Sequence, residues 1–273
     1  MHHYAAAKAS APVRNKMARP PEIHIAQDSH TWASAAAELV HSVGREAVRV
    51  NGRFLIALSG GTTPETLYRA LTSPAFADRF DWSRTTFFFG DERGVSQDDP
   101  RSNYALANNT LFAPLKIAHS QVYRMAGESR DPQAAAHEYE QQMRRATNTS
   151  PSSSPTLDLV LLGLGEDGHT ASLFPGSPAL RDNQSLIAVT QSPKDPPTRL
   201  TMTLGAINRA NVILFLVAGT GKAGAVRAIL DPKTEAERQL PASLVAPEEG
   251  RLIWLLDRAA AAGLPIQQQQ TSA

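Results

Sequence analysis

Short apolar runs alternate with helical stretches along most of this chain. Glu22–Ala26 reads as a first strand. Over 28–48, Trp32, Ala36, Leu39, Val40, Val43 and Ala47 recur at helical spacing behind a cap at Asp28 or Ser29. The runs at 53–58, 85–90, 157–162, 211–218 and 251–256 are almost wholly apolar. They lack the in–out alternation of a sheet wetted on one side and fit strands covered on both faces. Helices are predicted over 65–71, 102–111, 131–145 and 222–230, with an alanine-rich helix after the last strand. Two further strands, 185–190 and 199–204, flank a proline-rich connection. The pattern predicts an α/β chain: a single Rossmann-like domain, its mainly parallel sheet covered by helices on both faces.

Composition adjusts this picture at the ends and in the middle. Residues 1–21 are alanine-rich with scattered basic residues and no continuous apolar core, so they read as a disordered leader and not as a signal peptide. Thr147-Asn-Thr-Ser-Pro-Ser-Ser-Ser-Pro155 is a low-complexity linker. Strands of one type lie on both sides of it, so it is taken as a surface loop within one domain spanning 22–262. The stretch 263–273 reads as a flexible tail. With 27 basic and 26 acidic residues the chain offers no strong field for nucleic acid or membrane, so any phosphate binding must be local. Its longest strongly apolar run, 212–218, is far too short to span a bilayer. Cysteine is absent, which removes disulfides, thiolate metal sites and cysteine nucleophiles and fits a reducing cytoplasm.

The chemistry is expected where strands run into glycine turns, because open α/β sheets hold ligands at the carboxyl ends of their strands. Ser59-Gly-Gly-Thr-Thr-Pro64 joins a strand to a helix. Its glycines free backbone N–H groups for an anion, the helix adds its positive end, and Ser59, Thr62 and Thr63 add hydroxyls. No lysine follows, so it is not a P-loop. Gly163-Leu-Gly-Glu-Asp-Gly168 matches a dinucleotide fingerprint literally. That motif should open a long helix, whereas Pro175 and Pro178 follow within ten residues. Gly219-Thr-Gly-Lys222 also fails as a P-loop, with Leu216 where glycine is needed and Ala223 where a metal-binding hydroxyl is needed; Lys222 is still well placed to meet a phosphate. Asp91, Glu92 and Arg93 emerge directly from an apolar strand. Of eight histidines, His169 alone combines a glycine turn, a neighbouring carboxylate (Asp167) and a strand-end position. There is no Gly-x-Ser-x-Gly elbow and no metal-ligand spacing.

Taken in order, Ser59-Gly-Gly-Thr-Thr-Pro64, Gly90-Asp-Glu-Arg93 with Ser102-Asn-Tyr104, the turn from Gly163 to Pro175, Ser192-Pro-Lys194 through Arg199, Gly221-Lys222 and Leu240-Pro-Ala resemble the 6-phosphogluconolactonase family, which shares its fold with glucosamine-6-phosphate deaminases. The resemblance implies hydrolysis of 6-phospho-D-glucono-1,5-lactone to 6-phosphogluconate in the oxidative pentose phosphate pathway, with His169 as base and Asp167 orienting it. It implies Ser59, Gly60, Gly61, Thr62, Asp91, Arg93, Asn103, Gly168, Arg199 and Lys222 as substrate-binding residues, without deciding which of Arg93, Arg199 and Lys222 meets the phosphate. It implies no metal or organic cofactor, and a cytoplasmic monomer or weak homodimer. Deaminases resembling this sequence around their histidine carry a glutamate where Phe174 stands here, and their aldose–ketose chemistry needs that acid. A deaminase or isomerase, or a non-catalytic sugar-phosphate sensor, are the competing readings.

Overall fold

The computed structural model describes residues 20–150 and 153–265. The leader expected at 1–21 and the tail expected at 263–273 fall largely outside them, as do two residues of the expected linker.

Six strands form a wholly parallel sheet: β1 (Glu22–Ala26), β2 (Phe54–Leu58), β3 (Thr85–Phe89), β5 (Leu159–Leu162), β8 (Val212–Val217) and β9 (Arg251–Asp257), in the order β1-β9-β8-β5-β2-β3. Their apolar runs split by strict alternation, as the pleat demands. Phe54, Ile56, Leu58, Phe87, Phe89, Leu159, Leu161, Leu214 and Ile253 enter one core. Their neighbours Leu55, Ala57, Phe88, Val160, Leu162, Ile213, Phe215 and Trp254 enter the other. The first core is closed by α1 (Ser29–Asn51) and α2 (Thr62–Leu71); the second by α4 (Pro132–Thr147) and α6 (Ala223–Leu230). In α1 the residues Trp32, Ala36, Val40 and Ala47 are buried, as their spacing predicts, while Leu39 and Val43 are half-buried. The helix starts with a reciprocal cap, Thr31 N donating to the Asp28 carboxylate at 2.8 Å and Asp28 N to the Thr31 hydroxyl at 3.0 Å.

A second sheet departs from the expected parallel arrangement. β6 (Ile187–Gln191), β7 (Thr198–Met202) and the short β4 (Asp91–Arg93) are antiparallel, in the order β4-β7-β6. Only six residues separate β6 from β7, and a parallel pair needs a crossover of about a dozen or more. The helix expected at 102–111 is shorter than predicted: α3 (Asn103–Ala107) gives way to one π-helical turn over Asn108–Phe112. Short helices α5 (Leu204–Ile207), α7 (Glu235–Arg238) and α8 (Arg258–Ala261) are the remaining α-helices among the described residues, beside several 3-10 turns.

The strand order reverses between β2 and β5: β2 leads outward to β3, and the chain returns to β5 on its other side. Such a reversal leaves a crevice at the carboxyl ends of the two strands. Ser59 and Gly163 are the residues that leave β2 and β5, and the Ser59 hydroxyl stands 3.8 Å from where a Gly163 Cβ would be.

Candidate active site

A cavity of about 510 Å³ occupies this crevice. Ser59 to Pro64, Asp91, Arg93, Gly163 to Asp167, His169, Ala171, Lys194, Leu216 to Ala218 and Lys222 line it, so turns after β2, β5 and β8 meet there with the start of β4. The size suits a small metabolite.

One side of the cavity is built by α2. Its N-cap Gly61 holds φ +101°, a conformation that suits glycine, and no side chain caps the helix. The N–H groups of Thr62 and Thr63 therefore begin the helix without an internal partner, at its positive end. Across the cavity, Gly219 (φ +99°) leads into the turn that carries Lys222. The Asp257 carboxylate steadies that turn by accepting the Gly219 N–H at 3.0 Å. Among the described residues Arg93, Lys194 and Lys222 have no carboxylate in ion-pair reach, although Asp91, Glu166 and Asp167 line the same cavity. Arg93 donates instead to the Arg101 carbonyl.

Another side is the turn after β5. It closes through Gly165 N to the His169 carbonyl (2.8 Å) and Gly168 N to the Gly165 carbonyl (3.1 Å), with Gly168 at φ +80°. His169 Nδ1 lies 2.5 Å from Asp167 Oδ1, and the His169 N–H donates to the same oxygen at 3.2 Å. The pair sits directly over Gly165, where a Cβ would come within 2.0 Å of Nδ1 and 2.5 Å of the Asp167 oxygen. Burial works to raise the Asp167 carboxyl, but the hydrogen bonds and charge of His169 outweigh it and hold it below the usual range. With Nδ1 engaged, Nε2 is the free ring nitrogen. The Phe174 ring lies against the imidazole, centroids 4.7 Å apart, and is itself buried. Ala171 adopts φ +47°, an uncommon conformation for a residue with a side chain, immediately beside the pair.

The structure gathers Ser59, Gly60, Gly61, Thr62, Asp91, Arg93, Asp167, His169 and Lys222 around one cavity, and leaves three expected residues out of its lining. Asn103 stands behind Gly60, its amide given over to Asp91. Gly168 is turned to the other side, packed against Leu240, with its carbonyl accepting from Ala242. Arg199 is buried in β7 opposite Arg93 of β4, where burial and then the Arg93 charge hold its guanidinium below the usual range. One of its nitrogens donates to Ser192 at 3.3 Å and another has no partner. Lys194 and Glu166 line the cavity without having been assigned a role. The signal for Lys194 was a lone cation in a proline-rich connection between strands. Glu92, read as one charge of a strand-end cluster, is buried and accepts from Arg93 N, Ser102 Oγ, Asn103 N and Tyr104 N at 2.7–2.9 Å. It fastens α3 to β4, although burial still pushes its carboxyl up. The literal dinucleotide fingerprint opens no α-helix: after Gly168 the chain forms a one-residue bridge between Thr170 and Leu173.

Residues 27–254 match the model of the glucosamine-6-phosphate isomerases/6-phosphogluconolactonase family. The chain belongs to that family. It is 41% identical to a 6-phosphogluconolactonase of Synechocystis sp. over 80% of this chain and 88% of that protein. It is 38% identical to a human 6-phosphogluconolactonase over 90% of this chain and 95% of that one. The solved 6-phosphogluconolactonase from Trypanosoma cruzi superposes with a TM-score of 0.78 at 28% identity, covering 91% of this chain and 98% of its own. Among the described residues no helix is long and apolar enough to cross a membrane, and no group of three or more His, Asp or Glu side chains is arranged to hold a metal ion.

Proposed function

We propose that the chain hydrolyses 6-phospho-D-glucono-1,5-lactone to 6-phosphogluconate in the oxidative pentose phosphate pathway. The observation that carries this reading is the Asp167–His169 pair at the edge of a cavity that an uncapped helix start and three cations outside any ion pair also line. A lactone is an activated ester, so water and one general base suffice without a covalent intermediate. Nε2 of His169 takes a proton from water as the oxygen attacks C1. The developing oxyanion takes hydrogen bonds from N–H groups of the glycine turn or from Arg93. The C1–O5 bond then breaks, and the imidazolium returns the proton to O5. Asp167 fixes the tautomer and favours the charged ring. The phosphate dianion lies on the Ser59–Thr62 turn with Lys222 and Lys194, while buried Arg199 adds positive potential behind Arg93. Asn103 and Gly168 support the walls in place of touching substrate. No cofactor enters the reaction. We take the setting to be the cytoplasm, in keeping with the absence of cysteine, and the working form to be a monomer or weak homodimer.

The family also holds deaminases. Phe174 presses an inert ring on His169 at the position where the resemblance calls for the deaminase acid, which favours the lactonase. The test is lactone turnover, corrected for spontaneous hydrolysis, by wild type and His169→Ala. Loss of the base should lower kcat by roughly 10²-fold or more. Near-native kcat in the variant removes His169 as base, and ammonia release from glucosamine 6-phosphate by wild type turns the assignment to the deaminase.

A further inference from the structure

We propose that Asp91 reads one ring hydroxyl of the lactone, and that Ser172 and Asn103 act as positioning residues that clamp it in the reading orientation. The proposal rests on the lactonase reading above. Three carboxylates, Asp91, Glu166 and Asp167, line the cavity with the three cations, and Asp167 is already engaged by His169. Asp91 is 7% exposed, yet it lines that cavity beside Arg93. Both of its oxygens are held. Ser172 Oγ donates to Oδ2 at 2.6 Å, and Asn103 Nδ2 donates to Oδ1 at 3.0 Å and to the Asp91 carbonyl at 2.8 Å.

The clamps are themselves pinned. The Ser172 N–H donates to the Thr201 hydroxyl at 3.2 Å, and the Asn103 N–H to Glu92 at 2.7 Å. Asn103 Oδ1 is buried without a hydrogen-bond partner and packs against Gly60, where a Cβ would come within 1.7 Å of it. Gly60 is therefore required by Asn103 as well as by any anion above it. Through these contacts Asp91 joins the turn after β2 to the loop that follows His169.

An ionised carboxylate accepts at about four positions, and the side chains of Asn103 and Ser172 fill two. What remains belongs to the cavity. Phosphate or carboxylate there would meet like charge, whereas a hydroxyl supplies the donor that fits. The lactone phosphate carries three free ring hydroxyls, on C2, C3 and C4. A carboxylate fixed from two sides cannot rotate to follow a misplaced donor. A substrate lacking the matching hydroxyl leaves a buried charge short of a hydrogen bond, which should lower its kcat/KM by roughly 10- to 100-fold.

The experiment measures kcat/KM for the parent lactone phosphate and its 2-, 3- and 4-deoxy analogues, with the full-length wild type, Asp91→Asn and Ser172→Ala. In wild type one analogue should carry the penalty. That penalty should largely disappear in Asp91→Asn and shrink in Ser172→Ala, while the ratios for the other two analogues stay as they were. Ser172→Ala keeps the question open should Asp91→Asn fold poorly, and circular dichroism reports which variants fold. Wild-type turnover of the parent with no discrimination against any deoxy analogue overturns the proposal alone. So does an Asp91→Asn that loses activity on parent and analogues in equal proportion, since the carboxylate would then serve the reaction and not a hydroxyl. A wild type without activity on the parent sinks the lactonase reading and this proposal with it.

Discussion

Gly165→Ala is the substitution whose consequence can be worked most directly from the geometry. The added methyl would stand 2.0 Å from His169 Nδ1, while ordinary contact begins near 3.4 Å. The ring must therefore retreat by about 1.4 Å, the difference of those distances, or Asp167 must release it. The pair is 2.5 Å apart, so either movement breaks it. Gly165 is not among the residues with positive φ, so its backbone accepts alanine and the strain falls on the pair. A displacement on the order of 1 Å at a catalytic group costs roughly 10²-fold in rate. The expected outcome is a kcat reduced by roughly 10²-fold, a KM that changes far less, and a thermal midpoint close to wild type. Initial rates follow proton release in a pH-stat, since the product acid ionises, with the uncatalysed rate subtracted. A variant with kcat within a factor of two of wild type refutes the argument that the Asp167–His169 contact sets the base. A large fall in melting temperature refutes the claim that the strain stays local.

His41 offers a test of the fold. It is fully buried among Phe76, Phe80 and Trp82, with both ring nitrogens unpartnered, and burial followed by the charges of Arg45 and Arg79 lowers its pKa from 6.5 to about 4. The folded state keeps the ring neutral where the unfolded chain protonates it. Stability is thus complete above pH 6.5 and drains as the pH falls towards 4, by up to roughly 3 kcal/mol. Urea titrations at a series of pH values should show His41→Leu losing much less over that window, and equal slopes in both proteins would discard the assignment. Lys194→Ala and Lys222→Ala should each raise KM several-fold with a smaller change in kcat; an unchanged KM in either removes that lysine from the phosphate site.

Much of the scaffold was legible because burial on both faces leaves a strong mark. The five apolar runs became sheet strands with ends shifted by two residues at most. The turn at 59–64 and the glycines before His169 were legible too, since conformation and close approach restrict residue choice at each point. Arg199 was not. Its chemistry matches that of Arg93, and only the β4–β7 pairing buries it behind that residue. The antiparallel second sheet could have been inferred from the shortness of the connection between its two longer strands, a cue stronger than the parallel pattern around it.

By itself the sequence determined a doubly covered α/β fold, a histidine with its aspartate on a glycine turn, and a separate glycine turn at a helix start. These are properties of neighbours in the chain, where periodicity and backbone freedom act within a few residues. The tertiary structure decided which charges share a cavity. The reversal of strand order between β2 and β5 brings turns that lie about a hundred residues apart in the chain face to face. It also placed Lys194 at the cavity, put Asn103 behind Gly60, and closed Ser172 and Asn103 on Asp91 from opposite sides. Hydrogen bonds of that kind depend on register and strand order, quantities that no local run of residues contains.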